Sequence, residues 1–267
     1  MYSKSLFILF LLGLQAIFSQ TKEEILQEAE ILYKSEKASW HGTDIFLDRF
    51  PDKKELIEGY FSYSPDSITN KVLFFDSIPK VLATISFNND FQRNSAVIDS
   101  LPREFTSLEN EIYRLRQKAV NLMYADTLFK HYKNTRLNPI PIVTGNKKKV
   151  YVLTGPEITG VVIFGNDYLI EFNNEFEVIS KKALHNNIIP IYYKEEETDL
   201  VTIHSHNEVT GDLITPTDIC TLKLYQDYAK WKQHIVMSSK NVSLWNCKED
   251  RLTILTKEAW EKIYGSN

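Results

Sequence analysis

The sequence predicts an α+β protein. A helix-and-hairpin N-terminal region precedes a C-terminal half built on a mixed β-sheet with flanking helices. Three observations carry that expectation. Apolar residues recur at helical spacing in two long segments, residues 21–37 and 107–130. From Lys147 onward, short runs rich in Val, Ile and Tyr succeed one another at strand length. One segment within that β-rich half opens with Thr215-Pro216-Thr217-Asp218, a helix start in form.

The elements follow in chain order. Residues 1–20 read as an export signal: Lys4 is their single charge, and an apolar run from Leu6 to Leu14 is too short to span a bilayer; an uncleaved anchor is the alternative if the run extends through Ile17 and Phe18. Residues 21–37 place Ile25, Ala29 and Leu32 on one face, with Glu and Lys on the other. The aromatic-rich stretch at 40–63 reads as core-packing material, with ligand binding as the alternative. Residues 71–75 and 80–87 are Val-, Ile- and Phe-rich strands joined through Ser77 to Pro79, and 88–93 is a polar loop. In the second helix, Leu108, Ile112, Leu115, Ala119, Leu122, Ala125 and Phe129 step by three or four behind a Thr106 or Ser107 cap. Residues 133–141, with prolines at 139 and 141, read as a connector. The domains expected are therefore a signal at 1–20, an N-terminal region at 21–140 and a second domain at 147–267.

In that second domain, 150–153, 160–164 and 168–172 are expected strands, the last two joined by a Gly165-Asn166-Asp167 hairpin turn. Further strands are expected at 177–179, 188–193, 200–204, 234–237, 242–245 and 252–256, with a helix over 218–231. No internal repeat is present. The short runs Lys147-Lys148-Lys149 and Glu195-Glu196-Glu197 read as solvated turns.

Composition bounds the function. The chain has 267 residues, 31 Lys+Arg against 35 Asp+Glu, 43% hydrophobic and 25% charged residues. Those are globular values and exclude wholesale disorder. The slightly acidic balance gives no footprint for nucleic acid. No second long apolar segment follows the first, so no transmembrane span is expected once the signal is removed. Two cysteines exclude a Cys-rich zinc module; in an oxidising compartment Cys220 and Cys247 either pair or remain buried thiols.

Chemistry concentrates in one stretch. His204 and His206 stand at i and i+2 at the end of an apolar strand, so their imidazoles share a face. Imidazole is the commonest nitrogen ligand of zinc, and a third ligand is needed. Asp218 is the candidate, placed by a Thr215-x-x-Asp218 capping box after a loop containing Gly211. His41, His131 and His185 have no partners in sequence and read as surface or core. His234 begins a later strand and can lie near the site.

His204-x-His206, a short loop and Thr215-x-x-Asp218 resemble the motif of the JAMM (JAB1/MPN/Mov34) metallopeptidases. The resemblance covers roughly residues 147–256. Glu157-Ile158-Thr159-Gly160-Val161 is similar to the Glu-x-x-Gly-Val segment that opens that family's domain. Thr215 stands for the usual serine and Asn207 for the usual proline.

The resemblance implies one zinc ion held by His204, His206 and Asp218, with water in the fourth place. Glu157 would be the proton shuttle, with Glu208 the local alternative, and Thr215 would assist the oxyanion. The implied activity is zinc-dependent hydrolysis of a peptide or isopeptide bond in a peptide or protein substrate, in a periplasmic or extracellular protein. The alternative is a catalytically inactive binding or scaffold protein of the same fold. Zinc deaminases, metallo-β-lactamases and His-rich amidohydrolase-like or PHP-like enzymes fit less well: the cysteine pair or the additional histidines they use are missing.

Overall fold

A computed structural model describes residues 20–194 and 196–265. Apart from Gln20, the expected signal lies outside the described residues. The fold is α+β with mixed sheets and flanking helices, as the sequence predicts.

Helix α1 (Lys22–Arg49) is closed at its start by a full capping box between Thr21 and Glu24. It runs twelve residues past the expected end at 37 because its buried stripe continues through Ser35, Ala38, Ser39 and Gly42 to Ile45 and Phe46. Those small residues carry little hydropathy, so the periodicity fades while the packing does not. Gly42 is required there: a Cβ would fall 2.1 Å from Val72 Cγ1.

The N-terminal sheet is β1 (Gly59–Tyr63), β2 (Asn70–Phe75), β3 (Val81–Phe87) and β4 (Val97–Asp99), antiparallel in that order. The β2–β3 hairpin was expected; β1, within the stretch read as core-packing material, and the three-residue β4 were not. Helix α2 (Ser107–Ala125) is capped by Thr106 and Glu109. It ends at Ala125, five residues short of the expected end at 130, while Phe129 still packs in the core beside Tyr168.

Strand β5 (Thr135–Thr144) replaces the expected connector. It pairs antiparallel with β6 (Lys147–Pro156) along its whole length. Pro139 and Pro141 are tolerated because β5 is an edge strand: residues two apart direct their missing N–H the same way, away from β6. The sheet continues through β8 (Tyr168–Phe172) to β9 (Val178–Ala183). Strand β7 (Val161–Gly165) pairs instead with β10 (Ile188–Tyr192) in a separate two-stranded ribbon.

The expected β7–β8 hairpin is therefore absent. Gly165 and Asn166 do adopt positive φ, of 77° and 54°, but they turn the chain from one sheet into another. Asn166 is fully buried, and its side chain is held by Thr154, Tyr168 and the Lys130 carbonyl. A two-residue hairpin turn would leave those groups in water.

The last sheet is β11 (Leu200–Ser205), β12 (Trp231–Met237), β13 (Asn241–Asn246) and β14 (Arg251–Thr256). β11 and β12 are parallel, joined by the crossover helix α3 (Pro216–Tyr225). A short helix α4 (Lys257–Tyr264), capped by Thr256, closes the described chain. One core layer brings Ile25 and Ala29 of α1 together with Ile219 and Leu222 of α3 and Trp245 of β13. Another packs Leu32 of α1 on Tyr151, Cys220 and Leu224. Helix α1 thus belongs to the same core as the sheets that carry the histidines. Cys220 and Cys247 are buried free thiols. No helix among the described residues is long and apolar enough to cross a membrane.

Candidate metal centre

Four side chains converge: His185, His204, His206 and Asp218. Their ligand atoms all lie within 4.8 Å of one another. His204 sits at the end of β11 and His206 one residue beyond it, where its N–H bonds the Met237 carbonyl at 2.7 Å. The i, i+2 relation does what strand geometry requires: the two Nε2 atoms are 3.0 Å apart. Asp218 is the third residue of α3. Its Oδ2 accepts from the Thr215 N–H at 3.0 Å and hydroxyl at 2.8 Å, closing the capping box. One carboxylate therefore both starts the helix and faces the histidines.

His185, on the segment between β9 and β10, completes the group. Its Nε2 lies 2.9 Å from His206 Nε2 and 3.6 Å from Asp218 Oδ1. Of the two sequence readings, surface or core, the core one holds, and the structure adds its place in the cluster. Its signal in sequence was nil, because the strands that flank it belong to two other sheets than that of β11 and no spacing in sequence relates them.

The groups behind the four decide their chemistry. His185 Nδ1 faces Asp167 Oδ1 at 2.6 Å, and His206 Nδ1 faces the Leu213 carbonyl at 2.9 Å. Both partners are acceptors, so both Nδ1 atoms carry a proton and both Nε2 atoms point inward. At 2.9 Å the two Nε2 atoms share either a proton or a metal ion. A second line of support runs from His204 Nδ1 to His234 Nε2 at 2.9 Å and from His234 Nδ1 to Thr202 Oγ1 at 2.7 Å. With protons passing outward along it, His204 also directs a lone pair to the centre. This is the outer shell expected around metal-binding histidines. His234, which the sequence allows near the site, thus supports the His204 ring. Asp167, read as a turn residue, orients another and also accepts from the Thr217 hydroxyl.

Asp218 Oδ1 is buried and has no hydrogen-bond partner among the described residues. It lies 3.7 Å from His204 Nε2, while Oδ2 lies 3.3 Å from His206 Nε2. Tetrahedral zinc with bonds near 2.05 Å separates its ligands by about 3.3 Å. The observed separations bracket that value. The group can hold a metal ion.

The electrostatics agree. All four residues are buried, Asp218 being only 1% exposed. Burial works to raise the Asp218 carboxyl, but the His185, His204 and His206 rings outweigh it and hold it well below the usual range. Burial lowers His204 to about 4, the neighbouring rings adding to the effect and Asp218 opposing it. Burial likewise pushes His234 down to about 3. These rings are neutral near pH 7, the form in which imidazole donates to a metal. His185 is the exception: burial lowers it, yet Asp167 and Asp218 carry it up to about 9.

The remaining candidates lie elsewhere or are occupied. The Thr215 hydroxyl is buried and engaged with Asp218 and Thr217, so its visible work is to fix the ligand carboxylate. Glu157 follows β6, is 45% exposed and pairs with Arg136 at 3.2 Å. Glu208 is exposed on the loop after His206.

No family profile, no curated protein and no solved structure matches this chain.

Proposed function

We propose that this chain is an exported, zinc-binding scaffold or binding protein, with one zinc ion held by His185, His204, His206 and Asp218 as a closed centre. The observation that carries this reading is His185. It takes the place that a hydrolytic centre leaves for water, and a buried carboxylate, Asp167, locks its ring there. Bound zinc would supply a rigid crosslink between β11, α3 and the β9–β10 segment. Asp218 keeps its ring of donors in register through the α3 cap, and His234 fixes the His204 ring. The carboxylate and hydroxyl that a JAMM-like hydrolase would use support this reading too: Glu157 is paired with Arg136, and Thr215 with Asp218.

A second reading is hydrolysis of a peptide or isopeptide bond, with His185 displaced. It is favoured by a groove of about 330 Å3 lined by Glu208, Leu213 and Thr215, beside the centre. In that case Thr215 and Glu208 would face a bound peptide.

Metal analysis and visible spectroscopy of the cobalt-substituted protein separate the two. The closed reading expects one metal per chain, lost in His204→Ala, and a tetrahedral spectrum unchanged by added hydroxamate. A hydroxamate-induced change in the wild-type spectrum, or zinc-dependent peptide cleavage with His185 intact, refutes it.

A further inference from the structure

A cavity of about 550 Å3 lies between α1, β1, the β5–β6 pair and α3. Its volume is that of a small-molecule site, and none of the four metal-centre residues lines it. Glu36 lines it from α1 and is only 9% exposed. One Glu36 oxygen accepts from Asn138 Nδ2 at 2.8 Å; the other has no hydrogen-bond partner among the described residues. Trp40 and Tyr225 meet edge to face, with ring centroids 5.2 Å apart and planes at 74°. Tyr60 lines the same space and carries the Arg116 guanidinium 5.9 Å from its ring centroid. The Trp40 indole N–H and the hydroxyls of Tyr60, Thr221 and Tyr225 make no hydrogen bond among the described residues. Arg136 and Glu157 add an ion pair to the lining.

Aromatic faces with unused donors and acceptors select among ligand chemistries. Among the described residues the one cation of the lining, Arg136, is paired with the Glu157 carboxylate, so the lining offers no unopposed charge to select an organic cation or an anion. A neutral polyhydroxylated molecule has an apolar face for a ring and hydroxyls for both donors and acceptors. We propose that this cavity binds a sugar of one or two pyranose rings, stacked on Trp40 or Tyr225 and hydrogen-bonded by Glu36, Tyr60 and Thr221. Burial raises the Glu36 carboxyl to about 7, so near neutrality it serves as both donor and acceptor. The proposal is independent of the metal chemistry.

The test is calorimetric titration of the full, metal-loaded chain with glucose, N-acetylglucosamine and their β-1,4-linked dimers, with choline as the cationic probe. At least one dimer saturates with a dissociation constant of roughly 1 mM or tighter. Tyr60→Phe tests the hydroxyl and Trp40→Leu the stacking face. The expected weakening is about fivefold for Glu36→Gln and about tenfold for Trp40→Leu, in variants whose circular dichroism matches wild type. No saturation by any of the sugars, or choline binding in their place, overturns the proposal. So does sugar binding that Glu36→Gln, Trp40→Leu and Tyr60→Phe all leave unchanged.

Discussion

Replacing Glu36 with glutamine is expected to stabilise the protein in mild alkali and leave it unchanged in acid. Glu36 lies on the buried stripe of α1. Burial raises its carboxyl from 4.5 to about 7, while the Asn138 hydrogen bond and the Arg116 charge act in the opposite direction. The sign follows from proton counting. Below pH 4.5 the carboxyl is neutral in both folded and unfolded chains. Between 4.5 and about 7 the unfolded chain loses the proton and the folded one keeps it, so stability falls as pH rises. Above about 7 the loss is complete. A shift of about 2.5 units at about 1.4 kcal/mol per unit amounts to roughly 3 kcal/mol. Glutamine keeps the carbonyl that accepts from Asn138 and has no proton to lose. Urea unfolding of both proteins at about pH 4, 6 and 8 measures the difference. It should grow from near zero to roughly 3 kcal/mol. A difference that does not change with pH, or a wild type that is the more stable protein at about pH 8, would refute the reasoning.

Two further perturbations probe other parts of the fold. Glu109 is buried; burial raises its carboxyl, but the hydrogen bonds from Arg103, Tyr63 and Thr106 outweigh this and bring it down to about 2. Its contribution is therefore present above pH 4.5 and lost as pH falls through about 2. Glu109→Gln should cost about 2 kcal/mol at neutral pH, less than a fully buried pair because Arg103 is one-third exposed, and should move acid unfolding to higher pH. Asp167→Ala removes the acceptor that fixes the His185 ring and should weaken metal affinity by about 10- to 100-fold, measured by competition with a chelator. Asp167→Asn retains an acceptor oxygen and should weaken it less.

Much of the His–Asp cluster was legible because its signals are local. Two residues apart on a strand put His204 and His206 on one face, and a capping box put Asp218 at the start of α3. Neither inference depends on distant packing. His185 and Asp167 were not legible, because their roles arise where the β9–β10 segment meets the β7–β8 turn. In sequence, Gly165-Asn166-Asp167 has the chemistry of a hairpin. Only the burial of Asn166 and the pairing of β7 with β10 show the turn serving another purpose. Strand β5 was concealed by prolines that an interior strand would reject and an edge strand accepts. The second half of α1 was concealed by small residues whose burial reflects close approach rather than hydropathy.

X-ray absorption of the zinc-loaded protein distinguishes a closed centre from an open one. A closed centre gives a four-coordinate ion with three imidazole nitrogens and one carboxylate oxygen, at about 2.0–2.1 Å, and no bound solvent. Two imidazoles with an exchangeable water in the place of His185, or the absence of stoichiometric zinc, would contradict it.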